Sequence, residues 1–125
     1  MIKLLIVDDS AVVRDGLRSI LRTHADIKVV GEAVDGDDAV ARANDLQPDL
    51  ILMDAQMPGM DGVEATRHIK ERFPEVKVLL LTVHTSYIEE AFTAGADAYL
   101  MKYVGRKQLL KAIRDLAQGI SDKML

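Results

Sequence analysis

Residues 50–66, LILMDAQMPGMDGVEAT, pass from an apolar run through an aspartate and a turn to the start of a helix. Residues 50–53 are apolar at every position, which is typical of a strand buried on both faces of a parallel sheet. The Pro-Gly pair that follows predicts a turn. Asp61, with Glu64 three residues later, is typical of a capping box that opens a helix. The stretch therefore predicts a strand, a turn and a helix, with Asp54 at the carboxyl end of the strand.

The same alternation of strand and helix extends along the chain. Segments of helical periodicity separate the short apolar runs. Short connections between such elements favour a three-layer α/β/α sandwich, and parallel strands are joined by right-handed crossovers. We therefore predict a flavodoxin-like (βα)5 fold, a doubly wound parallel sheet in strand order 2-1-3-4-5. The predicted strands are residues 2–7, 27–34, 50–53, 76–81 and 98–100.

Several residues predict where the helices begin and end. Ser10 is typical of the N-cap of the first helix, and Thr85 or Ser86 of the fourth. Gly95 follows the end of the fourth helix, in the position that glycine favours. The last helix is predicted from apolar residues at helical spacing. These residues are Leu109, Ile113, Leu116 and Ile120.

Length and composition limit the classes of protein to which the chain can belong. Its 125 residues suit one domain, and 49% apolar with 29% charged residues is ordinary for a soluble globular protein. The net charge of −4 argues against a basic surface for nucleic acid. The chain has no cysteine, and no apolar stretch approaches the roughly 20 residues of a membrane span. We therefore expect a cytoplasmic protein without membrane contact.

Acidic residues follow two strands that are predicted to be neighbours. Asp8 and Asp9 follow the first strand and Asp54 follows the third, so the three carboxylates should meet where such sheets bind ligands. Two unit charges about 4 Å apart repel by roughly 4 kcal/mol at an effective dielectric of about 20. Such a cluster therefore requires a counter-charge. Oxygen ligands without histidine or cysteine suit a hard cation such as Mg²⁺.

Two further polar residues follow the remaining strands. Thr82 follows the fourth strand with a hydroxyl, and Lys102 follows the fifth with an ammonium group that can reach a phosphate. Alone, each has a simpler explanation, since a lysine after a strand is usually solvated. Together with the acids, they predict a phosphoryl-transfer site in which Asp54 is the nucleophile.

At these positions the sequence resembles the receiver (CheY-like) domains of two-component response regulators, over essentially its whole length. The most specific match is DAQMPGMDG at 54–62. The acid pair, Thr82 and Lys102 stand at matching positions. LTVH at 81–84 and AGADAYLMK at 94–102 are similar to the NarL/LuxR-type branch. In that branch the receiver is usually followed by a helix-turn-helix DNA-binding domain.

The resemblance implies a role for each of these residues. Asp54 would accept a phosphoryl group from a sensor histidine kinase, and the domain would be a signalling module with slow self-catalysed phosphotransfer and dephosphorylation rather than a turnover enzyme. Lys102 and Thr82 would bind phosphoryl oxygens, and Tyr99 would turn inward into the space that Thr82 leaves. The ligands implied for Mg²⁺, or for Mn²⁺ in its place, are Asp8, Asp9, Asp54 and the backbone carbonyl of Gln56.

The loops around Asp54 contain residues that distinguish this chain from other receivers. Tyr103 stands where many receivers have proline after the lysine, with a cis bond between them. Because a non-proline cis bond costs about 2.5–4 kcal/mol, either the 102–103 bond is strained or the loop differs and the placement of the lysine changes. Gln56 and His84 stand where side chains in this family steer or obstruct the hydrolytic water. Val83 is bulkier than the usual small residue there and is expected to narrow the access of the phosphoryl group, so all three are predicted to tune dephosphorylation.

The resemblance also predicts domain boundaries and partners. Residues 1–120 are expected to form the receiver, and residues 121–125 to begin a linker or tail. The expected partners are a sensor histidine kinase, a second copy of the chain after phosphorylation, and DNA through a downstream domain. The dimer is expected to form through the fourth helix, fifth strand and fifth helix, or through the first and fifth helices.

Three other functions stay open on the sequence alone. A receiver that is not phosphorylated would be a protein-docking platform, which Tyr103 permits. A haloacid-dehalogenase-like phosphatase also has a strand-end aspartate with Mg²⁺, but it has a second aspartate two residues later, where this chain has Gln56. A flavin or nucleotide carrier would need a phosphate-binding loop after the first strand, where Asp8 and Asp9 would repel phosphate.

Overall fold

The predicted strands all form one parallel sheet. The computed structural model describes residues 1–84 and 86–120. The sheet has the order β2-β1-β3-β4-β5, with every neighbouring pair parallel, so the predicted flavodoxin-like (βα)5 topology is confirmed. The strand bounds differ from the predicted ones by one residue at most. The strands are β1 (Ile2–Val7), β2 (Ile27–Ala33), β3 (Leu50–Asp54), β4 (Lys77–Thr82) and β5 (Ala98–Met101).

Helices cover both faces of this sheet, which explains why its strands are apolar at successive positions. The helices are α1 (Ala11–Leu21), α2 (Gly36–Leu46), α3 (Gly62–Arg72), α4 (Ile88–Thr93) and α5 (Arg106–Ala117). In β1, Leu5 and Val7 belong to an apolar cluster with residues of α2, α3 and α4. Leu4 and Ile6 belong to a second cluster, on the opposite face, with residues of α1 and α5.

The predicted caps of α1 and α3 are present. The Ser10 hydroxyl accepts a hydrogen bond from the backbone N–H of Val13 at 3.3 Å. The Asp61 carboxylate accepts one from the backbone N–H of Glu64 at 2.9 Å. The Glu64 carboxylate instead forms an ion pair with Arg67 at 2.7 Å, so only the Asp61 half of the predicted capping box is observed. These caps satisfy helix N–H groups that otherwise lack a partner, and they fix where each helix leaves the carboxyl edge of the sheet.

The predicted start of α4 was wrong by one residue. Tyr87 is the N-cap, without a side-chain capping bond, and Ser86 lies in the turn before it. Thr85, the alternative cap, lies outside the described residues. The half-buried Tyr87 ring packs against the cluster beneath α4, so apolar packing rather than a capping hydroxyl places the start of this helix. Gly95 follows the end of α4 with a φ of 105°, as predicted.

The last helix ends before the final residue of its predicted stripe. Gln118 is the C-cap of α5, and Gly119 follows with a φ of 81°, which turns the chain away from the helix axis. Ile120 is therefore 49% exposed rather than packed inward, and its assignment to the helix was wrong. Residues 121–125, predicted as a linker or tail, lie outside the described residues. No helix in the described part of the chain combines the length and apolar composition needed to cross a lipid bilayer.

Candidate functional site

Three carboxylates meet at the carboxyl edge of the sheet. Asp54 is the last residue of β3, and Asp8 and Asp9 follow the neighbouring strand β1. One carboxylate oxygen from each residue lies within 4.8 Å of the other two. Asp8 and Asp54 are only 1% and 7% exposed, whereas Asp9 is exposed. The cluster is therefore buried in the sheet on one side and open to solvent on the other.

Lys102 lies against two of these carboxylates. Its Nζ is 3.0 Å from Asp54 Oδ2 and 3.1 Å from Asp8 Oδ2. Its backbone N–H donates to the carbonyl oxygen of Thr82 at 2.7 Å, which holds the loop after β5 to the end of β4. The described residues contain no cis peptide bond, so the bond between Lys102 and Tyr103 is trans. The tyrosine side chain is 77% exposed, and its presence leaves the lysine in contact with the acids.

The charges of the cluster do not balance. Three carboxylates and one ammonium group leave an excess of two negative charges. Burial, with a smaller contribution from Asp8, raises the pKa of Asp54 despite hydrogen bonds from Gln56 and Lys102. Burial alone would lower the pKa of Lys102, but its hydrogen bonds to Asp54 and Asp8 outweigh burial and raise that pKa. The lysine is therefore firmly cationic, while Asp54 ionises less readily than a free carboxyl group.

The donor set fits a hard divalent cation. It consists of carboxylate oxygens on an open side of the site, and a dication would neutralise the two excess charges. Mg²⁺ commonly uses one or two carboxylates and completes its coordination with waters and phosphate oxygens. Asp8, Asp9 and Asp54 would hold it. The backbone carbonyl of Gln56 stays a predicted fourth ligand.

Thr82 and Tyr99 both contact the backbone of His84. Thr82, the fully buried last residue of β4, accepts a hydrogen bond at its hydroxyl oxygen from the His84 N–H at 3.1 Å. The Tyr99 hydroxyl donates to the His84 carbonyl oxygen at 2.7 Å. The Tyr99 ring is almost completely buried, and this burial raises the pKa of its phenol. The tyrosine therefore faces inward in this structure, and its movement on phosphorylation stays a prediction.

The three residues predicted to tune hydrolysis lie in the loops beside Asp54. The backbone N–H of Gln56 donates to Asp54 Oδ1 at 3.0 Å, and the exposed Gln56 side chain reaches the hydroxyl of Tyr87. Val83 is exposed. The His84 side chain is also exposed, and its backbone makes the contacts with Thr82 and Tyr99.

A second basic group, which was not predicted, lies beside the acids. Arg14 Nη1 donates to the backbone carbonyl oxygen of Asp8 at 2.6 Å, and its Nε lies 2.9 Å from Glu32 Oε1. Arg18, one turn later in α1, lies 2.8 Å from Glu32 Oε2. Burial acts to raise the pKa of Glu32, but hydrogen bonds from both arginines outweigh it and lower that pKa. The spacing of the two arginines was the available signal, since residues four apart share a helix face.

A glycine of the motif permits the close approach of the α3 N-terminus to Asp54. A Cβ at Gly62 would overlap the backbone carbonyl oxygen of Asp54. The Gly62 N–H donates to the carbonyl oxygen of Ala55 at 3.0 Å, which closes the loop between β3 and α3. The last glycine of DAQMPGMDG is therefore required by packing against the residue that begins the motif.

Known proteins are similar to this chain in sequence and in structure. The family sequence model of the response regulator receiver domain matches residues 4–114 of this chain. The response regulator protein VraR from Staphylococcus aureus is 48% identical over 125 residues, which cover 96% of this chain and 58% of VraR. The chain thus spans less than two thirds of the length of the curated relatives that it matches.

Two solved structures extend this likeness to the fold. The signal receiver domain of a NarL response regulator from Mycobacterium tuberculosis superposes with a TM-score of 0.90 at 32% identity, covering 94% of this chain and 97% of the other. A LuxR-family two-component response regulator from Aurantimonas superposes with a TM-score of 0.93 at 31% identity, covering this whole chain and 89% of the other.

Proposed function

Since the chain belongs to the response regulator receiver domains, of the NarL/LuxR branch, we propose that it accepts a phosphoryl group on Asp54 and changes conformation in response. One observation carries the proposal. The buried Asp54 carboxylate contacts Lys102 and stands within 4.8 Å of two further carboxylates. This arrangement supplies a nucleophile, a cation for the phosphoryl oxygens and oxygen ligands for a metal ion.

The transfer reaction can be followed from these residues. A carboxylate oxygen of Asp54 bonds to the phosphorus of a phosphohistidine, and the phosphorus–nitrogen bond breaks with its electron pair passing to the imidazole. Lys102 pairs with a phosphoryl oxygen in place of the carboxylates that it contacts here. Bound by Asp8, Asp9, Asp54 and the Gln56 carbonyl, Mg²⁺ or Mn²⁺ would neutralise charge on the phosphoryl group.

The change of conformation would begin at Thr82. A phosphoryl group adds about −1.5 to −2 charges and three strong acceptors. The Thr82 hydroxyl, which accepts from the His84 N–H here, would donate to one of those acceptors. Tyr99, held by the His84 carbonyl, would follow the movement of this loop. The phosphorylated state is favoured only by contacts that are better in it, so these residues and α4 determine how far the population shifts.

We propose that the intact protein carries this signal to DNA through a downstream domain. A LuxR-family regulator is among the solved structures similar to this chain, and VraR extends well beyond the matched region. The donor would be a sensor histidine kinase. The docking-platform alternative was permitted by Tyr103, and the contact of Lys102 with both buried acids favours the phosphoacceptor over it.

Intact-mass measurement after incubation with Mg²⁺ and acetyl phosphate tests the phosphoacceptor. We expect a hydrolysable mass increase of one phosphoryl group, which is absent in Asp54→Asn and present in the control Asp37→Asn, an exposed acid of α2. An adduct retained in Asp54→Asn, or no adduct on the wild-type chain, would overturn the proposal. Rapid multiple turnover of phosphomonoesters would instead indicate the phosphatase.

A further inference from the structure

The side chain of Gln56 joins the loop after β3 to the start of α4. Its Nε2 donates a hydrogen bond to the hydroxyl of Tyr87 at 3.0 Å, across 31 positions of sequence. The backbone N–H of the same glutamine donates to Asp54 Oδ1 at 3.0 Å. Gln56 therefore contacts the proposed phosphoacceptor with its backbone and the N-cap residue of α4 with its side chain.

The two residues follow neighbouring strands, at the edge of the sheet that carries the site. Gln56 follows β3 and Tyr87 follows β4, and these strands are neighbours. The hydrogen bond between them therefore joins the loops that follow β3 and β4, at the edge of the sheet where these strands end in Asp54 and Thr82. The half-buried Tyr87 ring packs against the apolar cluster beneath α4, which limits the movement of its hydroxyl. The exposed glutamine is the flexible partner, and without Tyr87 it would sample several rotamers.

We propose that the Tyr87 hydroxyl is a positioning group that holds the Gln56 side chain beside the phosphoacceptor and so slows hydrolysis of the aspartyl phosphate. The inference rests on the proposed function. In hydrolysis a water oxygen bonds to phosphorus, and the bond from phosphorus to the Asp54 oxygen breaks with its electron pair returning to the carboxylate. A water proton passes to solvent, and inorganic phosphate leaves. A side chain fixed over this edge narrows the approach of that water, whereas a mobile one opens it for part of the time.

The rate of phosphoryl loss measures this effect directly. The chain is phosphorylated with acetyl phosphate and Mg²⁺, the donor is removed, and intact mass is followed with time. Tyr87→Phe keeps the packed ring and removes only the hydroxyl. We expect it to lose the phosphoryl group roughly two- to tenfold faster, the range that one neutral hydrogen bond supports. Tyr103→Phe, another tyrosine at this edge with an exposed ring, is the matched control and should keep the wild-type rate.

A double-mutant cycle separates positioning from a general effect on the fold. Gln56→Ala should accelerate phosphoryl loss at least as much as Tyr87→Phe, and the double variant should match Gln56→Ala alone. The inference would be overturned if Tyr87→Phe loses the phosphoryl group at the wild-type rate or more slowly. It would also be overturned if Tyr87→Phe accelerates phosphoryl loss by the same factor in a chain that already carries Gln56→Ala. If the wild type forms no adduct, the proposed function fails as well. An adduct whose lifetime is insensitive to Tyr87→Phe overturns only the role of the tyrosine.

Discussion

Lys102 supplies the positive charge that lies beside two buried aspartates. It contacts Asp8 and Asp54 at 3.1 and 3.0 Å, and these partners are almost fully buried. Removing one member of such a group leaves buried charge without a partner, which costs more than an exposed ion pair contributes. The lysine therefore has a stabilising role in the unphosphorylated chain in addition to its proposed contact with phosphate.

Replacement of this lysine should destabilise the metal-free chain. We expect Lys102→Ala to lower the free energy of unfolding by about 1–3 kcal/mol without Mg²⁺, and added Mg²⁺ to restore much of the loss because it replaces the missing positive charge. Urea unfolding with and without Mg²⁺ measures both effects. An equal loss in the two conditions would show that the metal does not compensate the same carboxylates.

A single methyl group at Gly62 should disturb the phosphoacceptor. The added Cβ overlaps the Asp54 carbonyl oxygen, so Gly62→Ala should lower the free energy of unfolding by about 1–3 kcal/mol. Gly16→Ala is the matched control, since a Cβ there meets no atom within 4 Å and the helical position favours alanine by about 0.5–1 kcal/mol. Urea unfolding of both variants should show opposite signs. A stable Gly62→Ala chain would contradict the packing requirement.

At the scale of elements, α1 is fastened to β2 through one carboxylate. Arg14 and Arg18 both contact Glu32, and Arg14 also holds the backbone of Asp8. The first turn of α1 is thereby fixed relative to the acids that precede it. Since the pKa of Glu32 is lowered in the folded chain, its contribution to stability is present above the ordinary glutamate pKa and is lost as pH falls through the folded pKa.

The stability of this connection should depend on pH in a defined direction. Glu32→Gln should cost about 1 kcal/mol or less at neutral pH. The difference from the wild type should shrink as pH falls below the ordinary glutamate pKa and through the lowered pKa of Glu32 in the folded chain. Urea unfolding between neutral and acidic pH measures the difference. Glu71→Gln, on an exposed position of α3, is the control and should show no such trend. A difference in unfolding free energy between the wild type and Glu32→Gln that grows as pH falls would contradict the expected direction of this pH dependence.

Elements were predictable where local sequence determines them. Apart from the edge strand β2, the strands are mostly buried on both faces, so their apolar runs identified them. Ser10 and Asp61 form capping bonds within a few residues. The start of α4 was missed because the Tyr87 ring packs against a cluster built from distant segments. The contact of Arg14 with Asp8 was missed for a related reason, since side-chain direction at the site depends on how α1 lies on the sheet.

For the whole molecule, the strand order was enough to bring the acids together. Asp8, Asp9 and Asp54 converge because β1 and β3 are neighbours at the centre of the sheet. The topology rules that predicted this order are global constraints, and they need no side-chain detail. The contact between Gln56 and Tyr87 could not be predicted in this way, because neighbouring strand ends do not determine which side chains in their loops meet.

The proposed change of state should also alter how the molecules associate. At one fixed protein concentration, we expect the chain to be monomeric without a phosphoryl group and dimeric after phosphorylation or with a phosphoryl mimic and Mg²⁺. The expected face is α4, β5 and α5, or α1 and α5. Light scattering in the two states measures the change, and Asp54→Asn should stay monomeric under both conditions. Equal mass with and without the phosphoryl group would contradict a dimer driven by phosphorylation.

The sheet separates two apolar clusters, one on each face, and the proposed switch residue belongs to only one of them. Tyr99 packs with the residues beneath α4, whereas Leu21 of α1 and Leu109 of α5 belong to the cluster on the opposite face. Rotation of the Tyr99 ring would therefore weaken packing in the cluster beneath α4 and leave the cluster on the opposite face unchanged. Amide hydrogen exchange should then become faster along α4 while α1 keeps its protection. The change of conformation would thus reach the surface of the domain on the α4 side and not on the α1 side.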